Sequence, residues 1–442
     1  MKLPQIRAAQ LLAAGFALII VLGALLLSLP AASRDHIGIP ALNALFTSAS
    51  ATCVTGLVLY DTWTQFSMFG QAVILLLIQI GGLGFMTVVI LFPLFIGKRI
   101  GLRERDLLAE SVGAAQIGGV IRLVRRMLLL TFLFELLGAG ILCLRFIPLL
   151  GFADGLWTSV FHAVSAFCNA GFDLTGRFAP SSSLLFFGED SLVLLTIASL
   201  IVAGGIGFIV WNDLIERRFH PRALTLHSRA ALLATASLLL CGTIFFLLSE
   251  RDGQLAGMDM HKRLLAAFFQ SVTPRTAGFN SLRMDALSET GKLGTILLMF
   301  VGAAPGGTGG GVKVTTLAVA AAAVSASLGG REDATLGNYR LLPETQRRAF
   351  CTVTFYLALA FAGVCTLCMQ GVALADALFE CFSAIGTVGL STGVTASLQP
   401  VSKLALILLM YAGRVGSLTV FLAIASGTTK KLKNPVGKII VG

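Results

Sequence analysis

The chain has 442 residues, 56% of them hydrophobic and only 12% charged, with a mean hydropathy of +0.87. Soluble domains carry about 25% charged residues, so this composition excludes a string of soluble domains and indicates a membrane protein. The formal charge of +11 elsewhere suggests nucleic acid, but here the basic residues follow topology, as shown below.

Apolar stretches run over 9–29, 69–96, 127–150, 192–211, 230–248, 294–304 continued by 314–328, 350–369 and 404–425. Most approach the roughly 20 residues that a helix needs to cross about 30 Å of hydrocarbon. The first follows Lys2 and Arg7 and precedes Pro30-Ala31-Ala32-Ser33, as a secretory signal would. Its apolar core exceeds the usual length of about 7 to 15 residues, and similar stretches recur, so it is read as a retained helix. Of the 33 Lys and Arg residues, 21 fall at the amino terminus, in the connections 97–126, 217–229 and 331–348, and in the tail 430–438. The positive-inside rule makes that side cytoplasmic, with both termini inside. Cys365-x-x-Cys368 has metal-like spacing, but it has no second pair and lies in an apolar run, which favours packing.

The chain also repeats itself. Four segments align without gaps on Gly56, Gly171, Gly278 and Gly389, with a phenylalanine ten residues earlier in each: Phe46, Phe161, Phe268 and Phe379. Six residues before the glycine stands Ser50, Ser165 or Ser383, with Val272 as the exception. Each unit reads as a long apolar helix, a short apolar helix with its glycine loop, and a second long helix. The short helix, of about 12 residues, cannot span the bilayer. It must enter, stop and return as extended chain, which is tolerated at membrane depth only around a protected or water-filled path. The expected fold is an all-α integral membrane protein: four pseudo-symmetric repeats of outer helix, pore helix with filter loop, and inner helix around a central pore. The expected repeats are 1–97, 98–217, 218–330 and 331–428, followed by a cytosolic tail at 429–442.

A potassium filter requires backbone carbonyls stacked along an axis, and a residue without a side chain where the backbone adopts unusual angles. Gly386-Thr387-Val388-Gly389-Leu390 is similar to the filter signature of potassium channels, with leucine in place of the usual aromatic. The other loops read Cys53-Val54-Thr55-Gly56, Cys168-Asn169-Ala170-Gly171 and Arg275-Thr276-Ala277-Gly278. Gly81-Gly82-Leu83-Gly84-Phe85 and Gly204-Gly205-Ile206-Gly207-Phe208 are near copies in the inner helices, and Gly413-x-x-Gly416 falls at a similar place in the fourth. Close helix packing is the favoured reading, over a hinge. The third repeat departs from the rest, its inner helix interrupted by Gly302-Ala303-Ala304-Pro305-Gly306-Gly307-Thr308-Gly309-Gly310-Gly311, which cannot remain helical. This run lacks the Gly-Lys and preceding strand of a phosphate-binding loop. Arg414 lies inside the last apolar stretch, where an unpaired charge costs roughly 2.5 to 3.5 kcal/mol or more, so water or an acid is expected beside it. His162 is expected to be a packed or locally hydrogen-bonded histidine. Asp61, Asp173 and Asp285 are placed to attract cations to an outer mouth.

Cys53–Leu57, Ser165–Phe172, Ser271–Phe279 and Gly386–Gly393 resemble the four pore-loop patterns of the Trk/Ktr/HKT superfamily of K⁺ transporters. The resemblance covers nearly the whole chain and is strongest to the KtrB-type membrane subunits of bacterial Ktr potassium-uptake systems. It implies a K⁺ path lined by the backbone of Val54, Thr55, Gly56, Asn169, Ala170, Gly171, Thr276, Ala277, Gly278, Thr387, Val388 and Gly389. It also implies a gate made by Ala304, Pro305, Gly306, Gly307, Thr308, Gly309, Gly310, Gly311 and Lys313 beneath the filter, together with Arg414. In some plant relatives serine replaces the first filter glycine and sodium permeates; Gly56 here favours K⁺. K⁺ is then the transported ion and Na⁺ a candidate activator, with no cofactor in this chain. The implied partners are membrane lipid, a second copy in a homodimer, and a cytosolic ring of RCK-type, KtrA-like regulatory subunits that bind nucleotide. The implied place is the bacterial inner membrane. A K⁺/H⁺ or K⁺/Na⁺ coupled secondary transporter is the alternative, but inverted repeats would alternate their loops between the two sides. An enzyme finds no nucleophile–base pair or metal cluster in the sequence.

Overall fold

The computed structural model describes residues 8–84 and 119–416. The expected boundary between 97 and 98, the basic residues of 97–118 and the tail 429–442 lie outside the described residues. Within them the regular secondary structure is helical except for one small antiparallel hairpin, in which Thr335–Leu336 pairs with Tyr339–Arg340.

Four outer helices, Ala8–Leu27, Val120–Leu150, Leu226–Ser249 and Pro343–Met369, are long and apolar enough to cross a membrane. They expose large apolar side chains, among them Leu25, Leu136, Leu240 and Phe361, on the face turned away from the protein. That arrangement suits lipid and not water as the outer solvent. Each outer helix is followed by a short pore helix: Ala41–Thr52, Phe152–Phe167, Met260–Val272 and Leu374–Gly386. The inner helices begin at Met68–Leu83, Ser191–Ile206, Glu289–Phe300 and Pro400–Val415. Their starts are set locally: Ser67, Asp190 and Ser288 accept hydrogen bonds from first-turn N–H groups, and Pro400 opens the fourth with its fixed φ.

The glycine repeats of the inner helices do two things. Their early members allow contact, since a Cβ on Gly81, Gly204 or Gly413 would run into the backbone carbonyl of Thr52, Phe167 or Ile385 at the end of the same repeat's pore helix. Their last members end the helix, because Gly84, Gly207 and Gly416 have φ of 85°, 95° and 92°. The second inner helix therefore does not run unbroken through 192–211: Ser191–Ile206 and Phe208–Glu216 meet at 86° across Gly207. The third is interrupted as expected, between Phe300 and Val314, and resumes as Val314–Leu328. A break below the pore helices is thus not peculiar to the third repeat.

The third pore helix corrects the ungapped alignment by one residue. Phe46, Phe161 and Phe379 are fully buried, but in the third repeat the buried ring is Phe269 and not Phe268. The hydroxyl four residues further on is then Ser50, Ser165, Thr273 and Ser383, so Val272 is no exception; the third loop is one residue shorter.

Gly204→Val should force the second inner helix off its pore helix, costing about 1–3 kcal/mol as other overpacked sites do. Gly140→Val, on a lipid-facing position with nothing within 4 Å, should be neutral. Thermal unfolding of the two variants in detergent checks the contrast.

Candidate functional site

The four loops close into a ring. A Cβ on Gly56 would lie 2.5 Å from the carbonyl oxygen of Ala170, and one on Gly171 2.7 Å from that of Ala277. On Gly278 and Gly389 it would meet the carbonyls of Val388 and Thr55 closer still. Each glycine therefore abuts the residue that precedes the next glycine, in the order one, two, three, four and back to one. No side chain fits at these four positions.

The backbone repeats as well. The glycines have φ of 90°, 71°, 80° and 90°, and two residues earlier Val54, Asn169, Thr276 and Thr387 have φ of 56°, 59°, 74° and 51°. Left-handed residues that alternate with ordinary ones turn successive carbonyls towards one side. For a β-branched residue such as Val54 or Thr387 this conformation costs on the order of 1–3 kcal/mol, and it persists only where the surroundings enforce it. They do so with one hydroxyl per loop. Ser50 Oγ and Ser383 Oγ each accept from the N–H of Gly56 and Gly389 at 3.0 Å. Ser165 Oγ and Thr273 Oγ1 instead donate to the carbonyls of Phe172 and Phe279, at 2.6 and 2.7 Å. The second and third loops are also tied together by the Asn169 amide and Thr276 hydroxyl, 3.0 Å apart. With its oxygen towards Thr276, the Asn169 amide donates to the carbonyls of Ala166 and Ile201 at 3.0 and 3.2 Å.

A cavity of about 180 Å³ lies over the ring, lined by all four glycines and by Asp61 and Asp173. Asp285 does not join them; it pairs with Arg283 at 2.6 Å. His162 is buried and locally bonded, its Nδ1 donating to the Thr158 carbonyl at 2.8 Å and its Nε2 accepting from Leu174 N–H. Glu380, which the sequence reading passed over, is fully buried behind the fourth loop and accepts from Ser391 Oγ, Thr392 N–H and Thr395 Oγ1 at 2.5, 3.2 and 2.7 Å. An acid inside a short apolar helix, eleven to fifteen residues before three hydroxyl residues, was its available signal.

Beneath the ring lies the glycine-rich segment, folded back on itself where Val301 bridges Val312 in parallel. Ala304 N–H donates to the Gly205 carbonyl at 2.9 Å, and Phe208 N–H to that of Gly306 at 3.0 Å, so the segment fills the gap opened by the second inner helix's bend. Pro305 caps the same bend, since a Cβ on Gly207 would lie 2.6 Å from its carbonyl, and one on Gly307 would lie 3.0 Å from that of Gly205. Thr308 Oγ1 donates to the Phe167 carbonyl at 3.1 Å, and Gly310 N–H to Thr387 Oγ1 at 2.9 Å. Side chains on Gly309 and Gly310 would collide with the hydroxyls of Thr276 and Thr387, and one on Gly311 would come within 3.2 Å of the Gly386 carbonyl.

Two cations hold the segment from within the membrane. Lys313 Nζ donates to the carbonyls of Gly309 and Gly310 at 2.5 and 3.4 Å. Arg414 donates to the carbonyls of Thr308 and Gly81, and to that of Gly82 at 3.1 Å. Water or an acid was expected beside Arg414, and among the described residues no acid is its partner. The charge is met by carbonyls, two of them at the carboxyl end of the first inner helix, where the helix dipole favours a cation. All the residues expected to form a filter and a gate therefore lie in two touching layers.

The family model described as TrkH, a cation transport protein, matches residues 10–431. The Ktr system potassium uptake protein B of Bacillus subtilis is 40% identical over 437 residues, covering 98% of this chain and 96% of that protein. The potassium/sodium uptake protein NtpJ of Enterococcus hirae is 39% identical over 448 residues, covering 98% and 97%. The crystal structure of the potassium transporter TrkH from Vibrio parahaemolyticus superposes with a TM-score of 0.75 at 16% identity, over 96% of this chain and 86% of that one.

Glu380→Ala should leave two hydroxyls and an N–H without their acceptor and destabilise the protein by about 1–3 kcal/mol. Glu380→Gln, which keeps an acceptor oxygen, should lose less; denaturant titration of both variants measures the difference.

Proposed function

Because the chain belongs to the TrkH family of cation transport proteins, we propose that it is the K⁺-conducting membrane subunit of a bacterial potassium-uptake system, working as a transporter and not an enzyme. The observation that carries this reading is the closed ring in which each loop glycine abuts the carbonyl before the next. In this reading the backbone of Val54–Gly56, Asn169–Gly171, Thr276–Gly278 and Thr387–Gly389 replaces the hydration shell of K⁺. The acids Asp61 and Asp173 raise the local cation concentration at the mouth. Both termini lie on the cytoplasmic side of the inner membrane.

The segment 304–311 is the gate. It lies directly under Thr276 and Thr387 and is held by Lys313 and Arg414, whose positive charges also oppose a cation at that level. Every one of these holds is a hydrogen bond to backbone, so release needs no large rearrangement of the helices. We assign the release signal to a cytosolic nucleotide-binding subunit ring acting on a homodimer of this chain, with Na⁺ as an activator. The support for a multi-subunit arrangement is the likeness to proteins named as members of a Ktr system. A single ring on one axis favours downhill conduction over coupled alternating access.

Rescue of cells that lack K⁺ uptake, at limiting external K⁺ and with or without such a cytosolic subunit, tests ion, direction and partner together; no growth under either condition would sink the reading. Gly56→Ser places a side chain against the Ala170 carbonyl at a φ of 90°, so it should lower the preference for K⁺ over Na⁺, and Gly389→Ser should do so at least as much. Relative uptake of the two ions into proteoliposomes measures this. Deleting residues 306–310, or making Arg414→Ala, should raise K⁺ flux above that of wild type; flux at or below wild type in well-expressed protein would contradict the gate.

A further inference from the structure

Two crevices open on the lipid-facing surface at matching places in the repeat. One, of about 500 Å³, lies between the first inner helix, the second outer helix and the second pore helix. The other, of about 530 Å³, lies between the second inner helix, the third outer helix and the third pore helix. Both are lined almost wholly by apolar side chains, and both have the size that takes a drug-sized ligand. They differ in charge. The first contains Glu135; the second contains no acid, its polar groups being Thr243 and His261.

Glu135 is only 7% exposed and stands at the midpoint of the 31-residue helix Val120–Leu150. Its partners are an amide and a thiol: Gln79 Nε2 donates to Oε2 at 3.3 Å, and Cys168 Sγ lies 3.9 Å from Oε1. Among the described residues no cation pairs with it. Compare Asp213, which sits against Arg217 at 3.5 Å, and Glu380, which receives three donors. An acid at membrane depth is costly without a partner of opposite charge. The described residues supply none here, but the crevice gives access from the lipid.

The geometry points to a binding site for a lipophilic alkylammonium ion in the first crevice, its apolar chain between Leu76, Leu136 and Val160 and its N–H groups donating to the Glu135 carboxylate. Gln79, which also lines the crevice, donates to that carboxylate and fixes its position. A free amine, not a lipid headgroup, is the occupant, because Glu135 stands about 22 Å of helix from either end of Val120–Leu150, out of reach of a group anchored at the interface.

Saturable binding of dodecylammonium to the purified chain in phosphatidylcholine nanodiscs, with dodecanol as the uncharged control, tests this without reference to transport. Expected are one high-affinity site per chain, affinity about tenfold lower or weaker in Glu135→Gln, as loss of a charge-assisted hydrogen bond implies, and loss of binding in Leu136→Trp, which fills the crevice. Leu240→Trp, which fills the second crevice, should leave binding unchanged, and dodecanol should not distinguish wild type from Glu135→Gln. Equal dodecylammonium affinity in wild type and Glu135→Gln, loss in Leu240→Trp instead of Leu136→Trp, or displacement by phosphatidylethanolamine added to the nanodisc would overturn the assignment.

Discussion

A β-carbon at Gly56, Gly171, Gly278 or Gly389 would collide with a carbonyl of the neighbouring loop, and the rest of the molecule can be understood as what is needed to hold four backbones that close. Extended chain at membrane depth has no water to satisfy it, so each loop is laced by its own hydroxyl and backed by a pore helix. The pore helices in turn need support where they end. That is where Gly81, Gly204 and Gly413 let the inner helices press against them. Small residues thus recur at two depths for one reason: at both, backbone meets backbone.

The same constraint shapes the layer below. With the inner helices ending or bending at Gly84, Gly207 and Gly416, several carbonyls there lose their helical partners. The glycine-rich segment and Arg414 use them. A membrane-embedded arginine can therefore be satisfied without an acid, provided that helix ends point their carbonyls at it.

How much of this could be read from the residues alone depended on whether side chains or backbone did the work. The four-repeat plan was legible because phenylalanine, serine and glycine recur at fixed offsets, and the interruption of the third inner helix because Pro305 cannot be ignored. The register of the third pore helix was not, since Phe268-Phe269 and Val272-Thr273 offer two plausible alignments and only burial chooses between them. The bend at Gly207 lies in a run that reads as continuous apolar helix. The resemblance put Arg414 with the glycine-rich segment, but which carbonyls it meets could not be read from residue type, because every residue has a carbonyl. Glu135 was overlooked for a different reason: one acid in a long apolar helix has no pattern around it.

The hydroxyls behind the loops split two and two. Those of the first and fourth repeats accept from a glycine N–H, whereas those of the second and third donate to the next carbonyl. An assembly of four identical chains could not be built that way, since any change to one loop would appear in all four. Fusing the repeats into one polypeptide frees each quarter to vary alone. The one-residue shortening of the third loop and the tie between Asn169 and Thr276 are the kind of local departure that only a covalently joined ring can accumulate while the other three quarters keep their shape.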